Sequence, residues 1–354
     1  MPKMQHLKLS LILLLFVTQF ACQRAKPTYN PTKSTITENA MVVSPHPLAS
    51  DIGVEILKKG GNAVDAAIAV QFAIAVCYPR AGNLGGGGFM VIRTKDGTID
   101  ALDYREKAPA NAHRDMYLDS LGNVIEGMST EGHKASGVPG TVAGLFEAHK
   151  KYGKLPMDEL IRPAIRLAER GYVVTATEAE RFNRYQESFR KYNTSPSPFL
   201  KERWVEGDDL VQRELAQTLE RIRTGSTKGF YEGETADQIV AEIQSGGGLI
   251  THEDLKNYRA TWRRPIVGDY KGYRVISMPP SSSGGVALLQ MLGMVENFDL
   301  PSMGFHSADA VHLMVEAERR AYADRAQHLG DSDFYEVPID SLISEAYLQQ
   351  RMSD

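Results

Sequence analysis

The chain has 354 residues, 42% hydrophobic and 24% charged, a globular composition with room for one large domain or two smaller ones, which excludes a disordered chain. Its 40 Lys and Arg against 44 Asp and Glu give a net charge of −4 with no long block of either sign, so it lacks the basic footprint of a nucleic-acid binder. With Cys22 and Cys77 as its two cysteines, it cannot carry a disulfide framework, a zinc ribbon or a thiolate-held cluster, and a metal would need His and carboxylates.

The first residues read as an address. Lys3 and Lys8 precede an apolar run from Leu9 to Val17 that is too short to span a bilayer as a mature helix, so residues 1–21 are expected to be a secretory signal peptide. Cys22 follows the small residue Ala21, as in a bacterial lipoprotein processing site, although Gln19 stands where an aliphatic residue is usual. Two outcomes stay open: lipidation at Cys22 with anchoring to a membrane, or ordinary cleavage and release. Either implies a periplasmic or extracellular protein. Residues 22–40 are polar, contain Pro27 and Pro31, and read as a flexible tether to a folded region over 41–354.

That region opens with a short strand predicted at Met41–Ser44, a breaker at Pro45-His46-Pro47 and a helix over Leu48–Lys59. A second, Ala-rich helix starts at Asn62 and runs to Val76. It is apolar nearly all round, the pattern of a helix buried inside a layered domain, and it places Cys77 as a small buried hydrophobe. Gly85–Gly88 then lead into Phe89–Ile92, which with Thr98–Tyr104 forms a predicted antiparallel hairpin around Lys95-Asp96-Gly97. Helices follow at 142–152, 157–170, 177–192 and 210–224, and strands return between Tyr258 and Met278. Ser281–Ser283 read as the cap of a helix over Val286–Phe298, and a last helix runs from Ser307 through Ala326. Mixed sheet with helices on its faces, an α+β arrangement, is the layer solution for this order.

Few residues carry chemistry on their own. The four glycines at 85–88 follow a helix and precede a strand, the reverse of a dinucleotide site, and read as a close crossing of backbones. His312 and Glu316 lie four apart on one helix but lack the second histidine of a zinc signature, so they read as hydrogen-bonded helix residues. Thr251-His252 reads as a helix cap because Glu253-Asp254-Leu255 follows. No cofactor or metal site is read from the sequence. Arg105, at the end of the second hairpin strand, has a planar fork suited to gripping a carboxylate through two parallel hydrogen bonds. The same position fits an arginine paired with a neighbouring acid, and the residues alone leave both readings open.

Six motifs occur in order: Asp65-Ala-Ala-Ile-Ala, Gly82-Asn-Leu-Gly-Gly-Gly-Gly-Phe-Met90, Asp103-Tyr-Arg-Glu-Lys-Ala-Pro109, Ser136-Gly-Val-Pro-Gly140, Met278-Pro-Pro-Ser-Ser-Ser-Gly-Gly285 and Glu316-Ala-Glu-Arg-Arg-Ala-Tyr-Ala-Asp-Arg325. Together they resemble the large subunit of the gamma-glutamyltranspeptidases, from about Met41 to the end. The resemblance implies an N-terminal nucleophile hydrolase with an αββα sandwich, of which this chain would be the large-subunit part, incomplete without a small subunit. It implies a precursor that cuts its own backbone to expose a threonine on that small subunit. The threonine takes the glutamyl group from glutathione or another γ-glutamyl donor and passes it to water or an amino acid. Arg105 matches the family arginine that binds the donor α-carboxylate. The family's Thr-Thr-His cleavage motif is not found before Asp354. The nucleophile is therefore expected further downstream, no catalytic residue is assigned within the chain, and this chain alone is expected to be inactive. The rival implied by the same resemblance is a relative acting on other γ-glutamyl compounds or on a cephalosporin-type amide.

Overall fold

The computed structural model describes residues 36–353; the expected signal peptide, Cys22 and most of the tether lie outside them. One compact unit spans residues 37–265 and a second is built on residues 266–353. No helix among the described residues is long and apolar enough to cross a membrane.

In the first unit, helix α1 (Pro47–Lys58) starts where the His46 ring accepts a hydrogen bond from the Leu48 amide. Helix α2 (Ala63–Cys77) has a full capping box, with the Asn62 side chain on the Val64 and Asp65 amides and Asp65 returning to the Asn62 amide. Asp65 also accepts from the Lys154 and Leu155 amides at 3.0 and 3.3 Å, which ties the start of α2 to a chain segment ninety residues away. Ten of the fifteen residues of α2 are buried, as its all-round apolar sequence requires. Strands β1 (Phe89–Arg93) and β2 (Ile99–Asp103) form the expected hairpin, with Phe89 opposite Asp103 and Arg93 opposite Ile99.

Helices α3 (Thr141–Tyr152) and α4 (Met157–Arg170) pack on α2, and α3 also meets β2. Beyond them come β3 (Tyr172–Val173), α5 (Ala176–Arg184), α6 (Gln186–Tyr192), β4 (Asp209–Leu210), α7 (Arg213–Gly225), α8 (Lys228–Tyr231), α9 (Gly233–Ser245) and α10 (His252–Asn257). Strand β5 (Thr261–Arg263) returns to pair antiparallel with β2, completing a three-stranded sheet in the order β1-β2-β5. The main core lies between this sheet and α2, α3, α4 and α7, around Phe72, Leu102, Leu145, Leu160 and Leu219.

The second unit begins with a hairpin of β6 (Ile266–Tyr270) and β7 (Tyr273–Ser277). Its turn residues Lys271 and Gly272 both have positive φ, 48° and 82°, the geometry of a type I′ turn. Helices α11 (Gly284–Val295), α12 (Leu300–Met303), α13 (Ala308–His328), α14 (Ile339–Leu342) and α15 (Glu345–Arg351) follow, and α11 packs against the hairpin, α13 and α15.

Several expectations need correction. Met41–Ser44 is not a strand: it has no pairing partner, and Val43 is 82% exposed. The helix expected over 177–192 is two helices that meet at Tyr185, and Leu210 belongs to β4, paired with Tyr172, rather than to α7. Ser283 stands at the start of α11 with helical backbone angles and makes no side-chain capping bond; of the three serines it is Ser282 whose Oγ accepts from the Gly284 amide, the first of the helix, at 3.3 Å. Helix α9 was not anticipated. Thr251 does cap α10 through a capping box with Asp254.

Candidate substrate-binding site

Strand β2 ends at Asp103, and Arg105 lies two residues past that end rather than closing the strand. What fixes this stretch is a set of contacts from distant parts of the chain. Asp103 is buried and carries two loads: one carboxylate oxygen accepts from Arg263 Nε of β5 at 2.7 Å, the other from the Arg105 amide at 3.0 Å. Tyr104 exchanges both backbone hydrogen bonds with Gly88, extending the β1–β2 ladder by one pair. Its ring is buried, and that burial pushes the phenol up to about 12. The Arg105 carbonyl accepts from the Tyr258 hydroxyl at 2.7 Å, and Lys107 bridges to Val138 by two backbone hydrogen bonds. Tyr258 is itself held by stacking on Tyr231, with ring centroids 6.0 Å apart and planes within 3°.

Three of the sequence motifs therefore meet on one loop. Gly86, in the glycine run, accepts from the Gly140 and Thr141 amides, joining the second motif to the fourth. A β-carbon on Gly140 would collide with the Tyr104 carbonyl and the Tyr258 hydroxyl, and one on Gly87 would lie 2.5 Å from the Tyr104 carbonyl. Within the glycine run the expected close crossing of backbones holds at Gly87; a β-carbon at Gly86 or Gly88 would meet a side chain, Asn83 or Tyr104, and at Gly85 the space is open.

Arg105 is exposed, with its guanidinium carbon 6.0 Å from the centre of the Phe89 ring. The next residue, Glu106, lines a cavity of about 620 Å³ together with Arg80, Asn83, Gly85, Phe199 and Gln212. The geometry is that of an exposed cation on a backbone fixed by hydrogen bonds, one residue along the chain from a residue that lines the cavity. Sequence reasoning singled out Arg105 but missed Asp103, Arg263 and Tyr258 as the residues that set its backbone. Arg263 and Tyr258 carry no local signal, since their partners lie more than 150 residues away.

The fifth and sixth motifs belong to the second unit and are joined there. Arg325 Nε donates to Ser283 Oγ at 3.0 Å. Gln290 donates to buried Asp324 at 2.8 Å, and Arg351 pairs with the same carboxylate at 3.1 Å. Glu316 is held down to about 2 by hydrogen bonds from Arg319 and Arg320, as a hydrogen-bonded helix residue should be. Among the described residues no group of three or more His, Cys, Asp or Glu is placed to hold a metal. Cys77 is buried, as expected, and burial pushes its thiol up to about 12.

The family model for gamma-glutamyltranspeptidase matches residues 49–354. The glutathione hydrolase proenzyme of Escherichia coli K12 is 50% identical over 313 residues, 88% of this chain and 54% of its own length. The Acylase ACY 1 proenzyme of Pseudomonas sp. strain V22 is 38% identical over 348 residues, 95% of this chain and 60% of its own. Among solved structures, Helicobacter pylori gamma-glutamyltranspeptidase superposes with a TM-score of 0.88 at 47% identity, covering 90% of this chain and 93% of that one. The chain spans about half the length of the curated relatives it matches. Its fold is that of the N-terminal nucleophile hydrolases, as the motifs implied. With motif order, fold and similarity in agreement, the chain belongs to the gamma-glutamyltranspeptidase family.

Proposed function

We propose that the chain supplies the large-subunit part of a secreted glutathione hydrolase and γ-glutamyltransferase, with Arg105 binding the α-carboxylate of the donor. The observation that carries this reading is the bracing of the Arg105 backbone by Asp103 and Tyr258, with the side chain exposed and the next residue, Glu106, lining a cavity. A loop fixed on both sides of one arginine lowers the ordering cost of gripping a carboxylate. In this reading the nucleophile is a threonine further along the precursor. Its hydroxyl is a poor nucleophile until a base removes the proton, and a free α-amine on the same residue is such a base, so backbone cleavage must come before activity. Attack on the γ-glutamyl amide gives an acyl-enzyme, which water or an amino acid then resolves; backbone donors stabilise the oxyanion in both steps. Residues 1–21 direct the protein to the periplasm or beyond, with a lipid anchor if Cys22 is acylated.

The test is to express Arg105→Lys and Arg105→Ala within the complete precursor, check on a gel that both subunits form, and measure KM and kcat with a γ-glutamyl anilide. A contact made equally in ground and transition states appears in KM. Loss of the bidentate bond is expected to weaken donor binding by about 1–3 kcal/mol, roughly 5- to 150-fold in KM, with the Lys variant also impaired because it lacks the planar fork. An unchanged KM in both variants, or a precursor that fails to split, would make Arg105 a structural arginine. The similarity to Acylase ACY 1 and to a solved cephalosporin acylase supports a second reading, a relative that acts on a cephalosporin-type amide. Parallel assays with the anilide and with such an amide separate the two.

A further inference from the structure

We propose that the first unit carries a second binding site, for a small molecule with two or more negative charges, in the cavity between α3, α8 and α10. This cavity has a volume of about 540 Å³, within the usual range for small-molecule sites. Four cationic residues line it from separate stretches of the chain: Lys150 near the end of α3, Lys228 opening α8, Lys256 in the last turn of α10, and Arg259 beyond it. They face two carboxylates, Glu147 and Glu232, so positive charge is in excess. Glu147 is engaged as the acceptor for the Trp262 indole N–H at 3.1 Å.

Among the described residues, some lysines of the unit are paired with carboxylates and others are not. Lys59, Lys151, Lys191 and Lys201 each hold a carboxylate. Among the described residues no carboxylate pairs with Lys150, Lys228 or Lys256. Unpaired ammonium groups that converge on one concavity concentrate positive potential there, which draws in anions and falls with ionic strength.

The walls are built rather than loose. Tyr231 and Tyr258, both buried and stacked on each other, line the cavity, and both hydroxyls are already used. Tyr231 donates to the Pro139 carbonyl at 2.9 Å and accepts from the Ala143 amide at 3.2 Å, while Tyr258 donates to the Arg105 carbonyl. The Arg259 guanidinium is laid against the Lys256 and Tyr258 carbonyls, at 2.8 and 2.7 Å, which fixes it beside the opening. Ala143, Phe146 and Ala260 complete an apolar lining. A ligand that matches this arrangement has a compact body against the apolar wall and carboxylate or phosphate groups directed to the lysines.

The experiment is calorimetric titration of the full chain with pyrophosphate and, separately, with citrate, at matched ionic strength. The two probes distinguish phosphate from carboxylate chemistry, and saturable one-to-one binding of either supports the site. In Lys228→Gln/Lys256→Gln the affinity is expected to fall about tenfold or more. In Lys58→Gln/Lys95→Gln, which removes two exposed charges elsewhere in the same unit, it is expected to stay within about twofold. Unchanged urea midpoints in both double variants keep folding out of the comparison; these side chains are exposed, so little change is expected. No saturable binding of either probe, or an equal loss in the control pair, would overturn the proposal.

Discussion

The two helices richest in information about their surroundings, α2 in the first unit and α13 in the second, use apolar residues differently. Helix α2 buries ten of fifteen residues, including Asp65. Helix α13 buries five of twenty-one, Ala310, Leu313, Ala317, Ala321 and Asp324, a single seam of mostly small residues at helical spacing. Beside that seam Val311, Met314, Val315 and Tyr322 stand 45–57% exposed. The buried carboxylates differ in the same way. Asp65 is satisfied by backbone amides, whereas Asp324 is met by the Gln290 and Arg351 side chains, whose Oε1 and Nε atoms are buried with no partner among the described residues. The first unit has a broad core around α2 and the second a narrow one along α13, in keeping with an α2 sequence that is apolar nearly all round and an α13 sequence that is not.

The sharpest way to break this comparison is a matched pair of truncations. Phe72→Ala in α2 removes a fully buried ring and is expected to cost about 3–5 kcal/mol in urea unfolding, whereas Met314→Ala in α13, 57% exposed, should stay within about 0.5 kcal/mol. Equal losses would mean that Met314 is as buried in solution as Phe72. A smaller effect probes the carboxylates. Asp65→Ala strands three backbone donors at about 1–3 kcal/mol each and should cost about 3 kcal/mol or more, while Asp65→Asn, which keeps an acceptor oxygen, should recover part of that loss. The smallest concerns Cys77. Its thiol is raised by burial from an ordinary 9 to about 12, so the unfolded chain loses that proton first. The contribution is present in full below pH 9 and is lost as pH rises from 9 toward 12. The stability difference between the parent and Cys77→Ala should therefore shift against the parent across that window; a difference that is flat with pH would show a solvated thiol.

Local pattern made α2, the β1–β2 hairpin and the Thr251 cap legible, because each is specified by neighbours within a few residues. Met41–Ser44 misled because β-branched residues predict a strand only where a partner edge exists. The loss of Leu210 to β4 is decided by its pairing with Tyr172 and packing in the same cluster, which sequence spacing does not encode. The candidate site was legible as a single residue. Arg105 stood out by its motif, yet the residues that fix its backbone come from β5 and the segment after α10, and nothing near residue 105 announces them.

The hydroxyl of Tyr258 on the Arg105 carbonyl also sets an order of events during synthesis. The two residues are 153 positions apart, and the companion pair Asp103 and Arg263 spans 160. At about 5–20 residues per second, translation leaves the arginine loop without its clamps for about 8–30 s after it is made. Through that interval β2 can pair with β1, already synthesised, but its other edge waits for β5. The loop that the proposed donor would meet is thus set late, by the last strand of its sheet to arrive, and a nascent chain halted before residue 258 would carry Arg105 with its amide on Asp103 but with neither Tyr258 on its carbonyl nor Arg263 on Asp103.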